Sequence, residues 1–348
     1  MGSTDRKWVR HYCYSYFRIG KAMPNAAVGE KLLAGVWLTS TSKDPLLELF
    51  HPDWNNSVEW SLPKKLDTLG VSFEEIFPFG QELSKELSAA SWSISYFNQP
   101  NLFIRIRPGK EQKVLSRIVA LGLSHHQLSS SAIAFPAATQ LQQLEGLNRD
   151  YVIQDYSSQQ IASLLTKVNL AKPLSVWDCC TASGGKSILA HDYLGKIDLL
   201  ASDVRKSMMP QLKKRLQEAG IQSCQAAVID LEQAIPSTLN NSIDLIIADV
   251  PCTGSGTWGR TPEQLAYFEK EQIDFYSSRQ RSILGNVLPS LKSAGYLLYS
   301  TCSVFQKENE GIVEWLVQSQ QLKLIEASLF VGIKNRADTL YGALLQRA

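Results

Sequence analysis

Six cysteines in 348 residues are too few to staple a chain of this size, and no two of them stand in a Cys-x-x-Cys pair. Neither a disulfide framework nor a metal centre is therefore legible. An excess of one charge is also missing. Thirty-five Lys and Arg against 33 Asp and Glu leave +2, so any anionic partner must be met by local patches. No stretch approaches the roughly 18 consecutive apolar residues of a membrane span. The opening residues lack the apolar core of a secretory leader, and Arg6 stands where a myristoylation signal wants Ser or Thr. Internal repeats and low-complexity linkers are absent as well. What remains is 44 % hydrophobic and 20 % charged, ordinary globular usage that excludes wholesale disorder. The chain reads as a reduced, cytoplasmic, monomeric protein of two or three domains.

Charge is uneven along the chain. Residues 1–21 carry Arg6, Lys7, Arg10, Arg18 and Lys21 against Asp5, interleaved with Trp8, Tyr12, Tyr14, Tyr16 and Phe17. Residues 103–117 carry Arg105, Arg107, Lys110, Lys113 and Arg117 against Glu111. Basic strips with aromatic neighbours suit a single-stranded nucleic-acid backbone, although each strip alone also fits a solvated helix face. Three regions are expected: a helical one over 1–95, a small α+β RNA-binding module over 96–150, and a third over 151–348. In the module, alternation across Leu102 to Arg107 predicts a strand, and Pro108-Gly109 turns the chain into a helix over 111–122.

From residue 151 strands alternate with helices. Near-continuous apolar runs at 174–178, 197–203, 226–230, 243–249 and 294–302 end in Asp178, Asp203, Asp230, Asp249 and Cys302. Such runs separated by helical crossovers predict an α/β domain with a parallel sheet buried on both faces. Ligands in such folds bind beyond the carboxyl ends of the strands. A single terminal Asp is commonly a helix cap, but five reactive or acidic strand ends fit a site better.

The loop Cys180-Thr181-Ala182-Ser183-Gly184-Gly185-Lys186 joins the first of these strands to its helix. It matches neither GxGxxG nor GxxxxGK[ST], which disfavours a dinucleotide or a P-loop nucleotide. Small residues before a helix N-terminus suit a carboxylate, and an acid at the second strand end suits a ribose diol. A ligand with ribose, adenine and a carboxylate in place of phosphates is S-adenosylmethionine. Two cysteines, Cys252 in Asp249-Val250-Pro251-Cys252 and Cys302 in Ser300-Thr301-Cys302-Ser303, lie just past parallel strands. A cysteine there is commonly a small core residue, but the Pro, Gly, Ser and Thr around these two point to a thiolate nucleophile.

Together the motifs DCCTASGGKS, ASDV, IADVPCTGSGT and YSTCSV-x-x-x-EN, preceded by VIQDYSSQ, resemble the RNA cytosine-5 methyltransferases of the bacterial Sun/Fmu type and their eukaryotic nucleolar relatives. The resemblance covers residues 95–348 well and the first 90 loosely. It implies a Rossmann-like domain with a mostly parallel seven-stranded sheet. Cys302 would be the nucleophile and Cys252 would assist product release. Cys180, Thr181, Ala182, Ser183, Gly184, Gly185 and Lys186 would wrap the methionine part of the cofactor. Asp203 would hold the ribose, Asp230 would lie beside adenine, and Asp249 would sit between methyl donor and base. Small-subunit ribosomal RNA is the implied substrate, with transfer RNA as the alternative. Thr181, Ser183 and Ser187 depart from the family's usual loop, Met208 replaces an Arg, and Leu340-Tyr341 replaces two phenylalanines. The helical extension looks short, as in a reduced form or a fragment.

Cytosine carbon 5 is a poor nucleophile. Adding a thiolate to carbon 6 makes the ring an enamine, and later loss of the carbon-5 proton with expulsion of the thiol restores aromaticity. Such chemistry needs a base out of its stack, and flanking modules that hold RNA by backbone and shape. A DNA cytosine-5 methyltransferase would instead attack through Cys252. A catalytically silent RNA-binding scaffold has no use for both thiols.

Overall fold

The computed structural model describes residues 2–348. Short helices fill the first hundred residues, and local chemistry starts them. Asp44 accepts from the Leu46 amide ahead of Pro45, and Ser72 with Glu75 closes a reciprocal cap. Most of these helices pack into the core of the later chain. Ile19, Leu66, Phe77, Trp92 and Tyr96 pack in one cluster with Trp177, Ile246, Leu297, Trp258 and Phe305 of the later chain. A smaller cluster around Trp37, Leu47 and Val58 completes the region.

Next comes a four-stranded antiparallel sheet. Its strands are β1 (Leu102–Ile106), β2 (His126–Gln127), β3 (Ala132–Phe135) and β4 (Tyr151–Ile153), ordered β2-β3-β1-β4. The helix Glu111–Ala120 covers one face, burying Val114 and Ile118 against Ile104, Ile106 and Phe135. The fourth strand lies beyond residue 150, where the sequence placed the boundary, because Val152 pairs with Arg105 in the small sheet.

The rest of the chain forms a seven-stranded sheet. Its strands are β5 (Leu174–Asp178), β6 (Ile197–Asp203), β7 (Cys224–Val228), β8 (Ile243–Asp249), β9 (Leu291–Thr301), β10 (Leu322–Val331) and β11 (Thr339–Arg347). The order is β10-β11-β9-β8-β5-β6-β7, parallel from β9 to β7, with β11 antiparallel to both its neighbours. This is the α/β, Rossmann-like, mostly parallel arrangement expected. Trp177, Ile246 and Leu297 face the N-terminal helices, while Val176, Leu245 and Leu298 face the helices on the other side. The chain leaves β5 in opposite directions, through β6 to β7 and through β8 to β9, so the crevice opens where β5 meets β8. After β6 a tight turn over Lys206–Met208 leads into the helix Met209–Glu218, where Pro210, with no amide hydrogen to leave unpaired, occupies the first turn.

Candidate active site

The cofactor loop is shaped from within. Gly184 takes φ +81°, a left-handed conformation, and a Cβ there would come within 2.9 Å of Leu212. Asp178, fully buried at the end of β5, accepts from the Ser187 hydroxyl at 2.6 Å and from Thr181 at 3.2 Å. Burial raises its pKa to about 6 despite those bonds. Asp178 is therefore a brace for the loop. The residues that depart from the family pattern join this bracing: Thr181 and Ser187 meet at 3.1 Å, and the Ser183 hydroxyl accepts from Arg215 at 2.7 Å.

Asp203, at the end of β6, accepts from the Ala182 amide at 3.0 Å. Arg205 grips it with Nε and Nη2, both at 2.9 Å. Burial pushes this carboxyl up, but the Arg205 bonds and charge outweigh it and hold the group below the usual carboxylate range. Asp230 is exposed beyond β7. Arg205 and Arg215 escaped sequence reasoning; a base two residues past a strand-end acid was the signal available for the first.

At the end of β8, Asp249 accepts from the Lys186 ammonium at 2.6 Å and from the Ser300 hydroxyl at 2.8 Å. Burial alone would lower the lysine. The charges of Asp249, Cys302 and Asp178 reverse that and hold Lys186 above its ordinary value. The sulfurs of Cys252 and Cys302 stand 3.4 Å apart, both half-buried and both free thiols. Gly256 fixes their loops together: its amide donates to the Cys302 carbonyl at 2.8 Å, and a Cβ on it would collide with the Thr339 carbonyl. The bond to Cys302, then burial and the charges of Cys302 and Glu308, push the Cys252 thiol well up.

Two cavities meet at this point. The larger, about 450 Å³, is lined by Asp203, Asp230, Leu231 and Cys252 among others. The smaller, about 260 Å³, is lined by Gln154, Lys186 and Leu340 among others. Cys180, Ala182, Asp249 and Cys302 line both. Every residue of the cofactor loop except Gly184 borders one cavity or the other.

The basic strip over 103–117 does not offer its two strand arginines to solvent. Arg105 is 1 % and Arg107 9 % exposed. Both pair with Asp192, at 2.6 and 2.7 Å, on the helix Gly185–Leu194 that follows the cofactor loop. Lys113 and Arg117 both pair with Asp150 at 2.9 Å. Strand alternation sends Ile104 and Ile106 into the small core and the arginines to the opposite face, which the larger domain covers. The N-terminal strip divides. Arg6, Lys7, Trp8 and Arg10 are exposed, with Trp8 stacked on Tyr12 at 5.5 Å. Arg18 is buried and donates to the carbonyls of Tyr96 and Gly259.

The family model described as 16S rRNA methyltransferase RsmB/F matches residues 165–341. A probable ribosomal RNA small subunit methyltransferase B from Synechocystis is 30 % identical over 74 % of this chain and 60 % of its own length. A 26S rRNA (cytosine-C(5))-methyltransferase from Caenorhabditis elegans is 27 % identical over 77 % of this chain and 40 % of its own. The chain spans about half the length of the curated relatives it matches. Among solved structures, a methyltransferase homolog from Pyrococcus horikoshii shares the fold, with TM-score 0.65, 19 % identity, and coverage of 82 % of this chain and 98 % of that one.

Proposed function

The chain belongs to the RsmB/F family of 16S rRNA methyltransferases, and on that premise we propose that it methylates carbon 5 of a cytosine in RNA, small-subunit ribosomal RNA first among the candidates. One observation carries the reading: two thiols 3.4 Å apart at adjoining strand ends, beside an ion pair between buried Lys186 and half-buried Asp249. A single structural cysteine explains none of this.

The residues present fit S-adenosylmethionine. A Cβ built on Gly185, at the start of its helix, meets nothing within 4 Å, leaving room for a ligand at a helix N-terminus. Val204, Ile229 and Leu231 give the larger cavity an apolar wall between the Asp203 and Asp230 carboxylates. Asp203 would hold the ribose, Asp230 would lie beside the adenine, and Cys180 to Lys186 would wrap the methionine portion. Bound there, the cofactor supplies an electrophilic methyl group.

Cys302 adds through sulfur to carbon 6 of the cytosine, and the Asp249–Lys186 pair holds the polar edge of the base. Lys186, held above its ordinary value by Asp249, Cys302 and Asp178, supplies the positive charge of this centre. With carbon 5 methylated, its proton passes to water, the carbon 6–sulfur bond breaks with its electron pair returning to the Cys302 sulfur, and Cys252 assists that elimination.

A denaturing gel with labelled RNA and cofactor tests the division of labour. Cys302→Ala is expected to be inactive and to form no adduct. Cys252→Ala is expected to transfer the methyl group and stall as a covalent protein–RNA band. A band for Cys302→Ala and none for Cys252→Ala would invert the assignment toward the DNA-type arrangement. Full activity in both mutants would remove covalent catalysis.

A further inference from the structure

Glu308 is wholly buried and lines neither cavity, yet it touches both cysteine loops. One carboxylate oxygen accepts from the Thr253 amide at 2.9 Å and the Gln280 side chain at 3.0 Å. The other accepts from the hydroxyls of Thr253 at 2.6 Å and Ser303 at 2.5 Å. Thr253 follows Cys252, and Ser303 follows Cys302. A single side chain thus grips the residue next to each reactive sulfur. Four groups able to donate converge on the two oxygens, the set that an ionised carboxylate accepts in full.

That ionised group has no Lys, Arg or His partner within the described residues. Among the ion pairs none involves Glu308, and its neighbours are Thr, Ser, Gln and the Tyr299 hydroxyl, which donates to its main-chain carbonyl at 2.5 Å. Burying an unpaired charge is expensive, and a neutral amide of the same shape would tie the two loops together at lower cost. The charge therefore needs a reason beyond tying. Two of the Glu308 bonds come from Thr253, beside Cys252, and one from Ser303, beside Cys302, and its charge helps push the Cys252 thiol up.

We propose that Glu308 is the positioning residue of the two-thiol centre: it locks the loops at one sulfur–sulfur spacing and sets which of the two sulfurs attacks. The inference rests on the cytosine-methylation reading above. An anion gripping the residue after Cys252 makes the pair unequal: Cys252 holds its proton, which leaves Cys302 as the sulfur that bonds carbon 6. Burial raises the Glu308 carboxyl, and the Ser303, Thr253 and Gln280 donors offset that rise in part.

Glu308→Gln tests this with little change of shape. Its amide can face the Thr253 and Ser303 hydroxyls, which then turn their protons toward Ser255, at 3.1 and 3.3 Å. The folded full chain is treated with iodoacetamide near neutral pH, and each cysteine is followed by peptide mass mapping. In the wild type Cys302 is expected to react before Cys252. In Glu308→Gln the Cys252 rate should rise about tenfold, the effect of roughly one unit in a thiol's acidity. Cys179, wholly buried, should stay unreacted and reports on folding. With S-adenosylmethionine and RNA carrying 5-fluorocytosine, which blocks the final elimination, the Cys302 adduct should form at least fivefold more slowly in the variant. An unchanged Cys252 rate with Cys179 protected would overturn the proposal. If Cys179 becomes reactive, Ser303→Ala carries the test: adduct formation should fall severalfold with Cys252 alkylation unchanged, and wild-type adduct formation would overturn the proposal. A wild-type chain that forms no 5-fluorocytosine adduct would instead remove the cytosine reading, while the alkylation arm still reports on Glu308.

Discussion

Asp203 and Arg205 show how a single pair can hold a site ready and also obstruct it. Both oxygens of Asp203 are held by the guanidinium, and the Ala182 amide takes a further share. A ribose diol reaching that carboxylate must compete with Arg205, whose side chain is 57 % exposed and free to swing away. A hydrogen bond to a charged group contributes about 1.5–3 kcal/mol. Asp203→Ala is therefore expected to weaken S-adenosylmethionine binding by roughly 10- to 100-fold. Titration calorimetry giving equal affinity for variant and wild type would take Asp203 out of the cofactor site. The acid itself was legible from its place at a strand end. Its guanidinium partner was not, because a basic residue after a strand reads equally well as solvated surface.

At the scale of elements, the joint between β1 and the helix Gly185–Leu194 carries the main correction. Asp192 is nearly buried between Arg105 and Arg107, which lie 87 and 85 residues away in sequence. Burial pushes its carboxyl up, but the His191 ring at 3.9 Å, the Arg107 bonds and the two arginine charges bring it down to about 2. The sign follows from that depression. The joint is at full strength above the unfolded carboxyl value near 3.8, and its contribution, about 2 kcal/mol, is lost as pH falls toward 2. Asp192→Asn leaves two guanidinium groups buried without a counter-charge and is expected to cost about 3–5 kcal/mol. Chemical denaturation checks the magnitude, and a loss under 1 kcal/mol would show the joint to be marginal. Alternation along 102–107 told that a strand forms here. It could not tell what covers the other face, since that cover arrives from another element.

For the whole molecule, the N-terminal helices and the large sheet share one core, so the first hundred residues brace the site as well as flank it. Leu83 bridges to Phe305, and Ser84 bonds Glu310 and Asn309 just beyond the Cys302 loop. On the proposed reading, the exposed Arg6, Lys7 and Arg10 are the basic face offered to RNA. Reversing these three charges is expected to weaken RNA binding, and to lower the slope of log affinity against log salt by about 2–3 units. Cofactor affinity should not change. Filter-binding curves that overlay the wild type across a salt series would make this helix an ordinary solvated surface.

The sequence by itself determined the parallel sheet, the strand ends that hold Asp203, Asp230, Asp249, Cys252 and Cys302, and the small-residue loop before its helix. These are local signals: apolar runs of strand length, turn residues at fixed offsets, and reactive side chains where a strand stops. Tertiary structure alone decided the partners. It brought the two sulfurs, 50 residues apart in sequence, to 3.4 Å. It also put Lys186 on Asp249 and set one carboxylate, Glu308, across both cysteine loops. The reason is physical. A side chain's charge and reactivity depend on what excludes water and which groups face it, and both are supplied by elements that meet only when the chain folds.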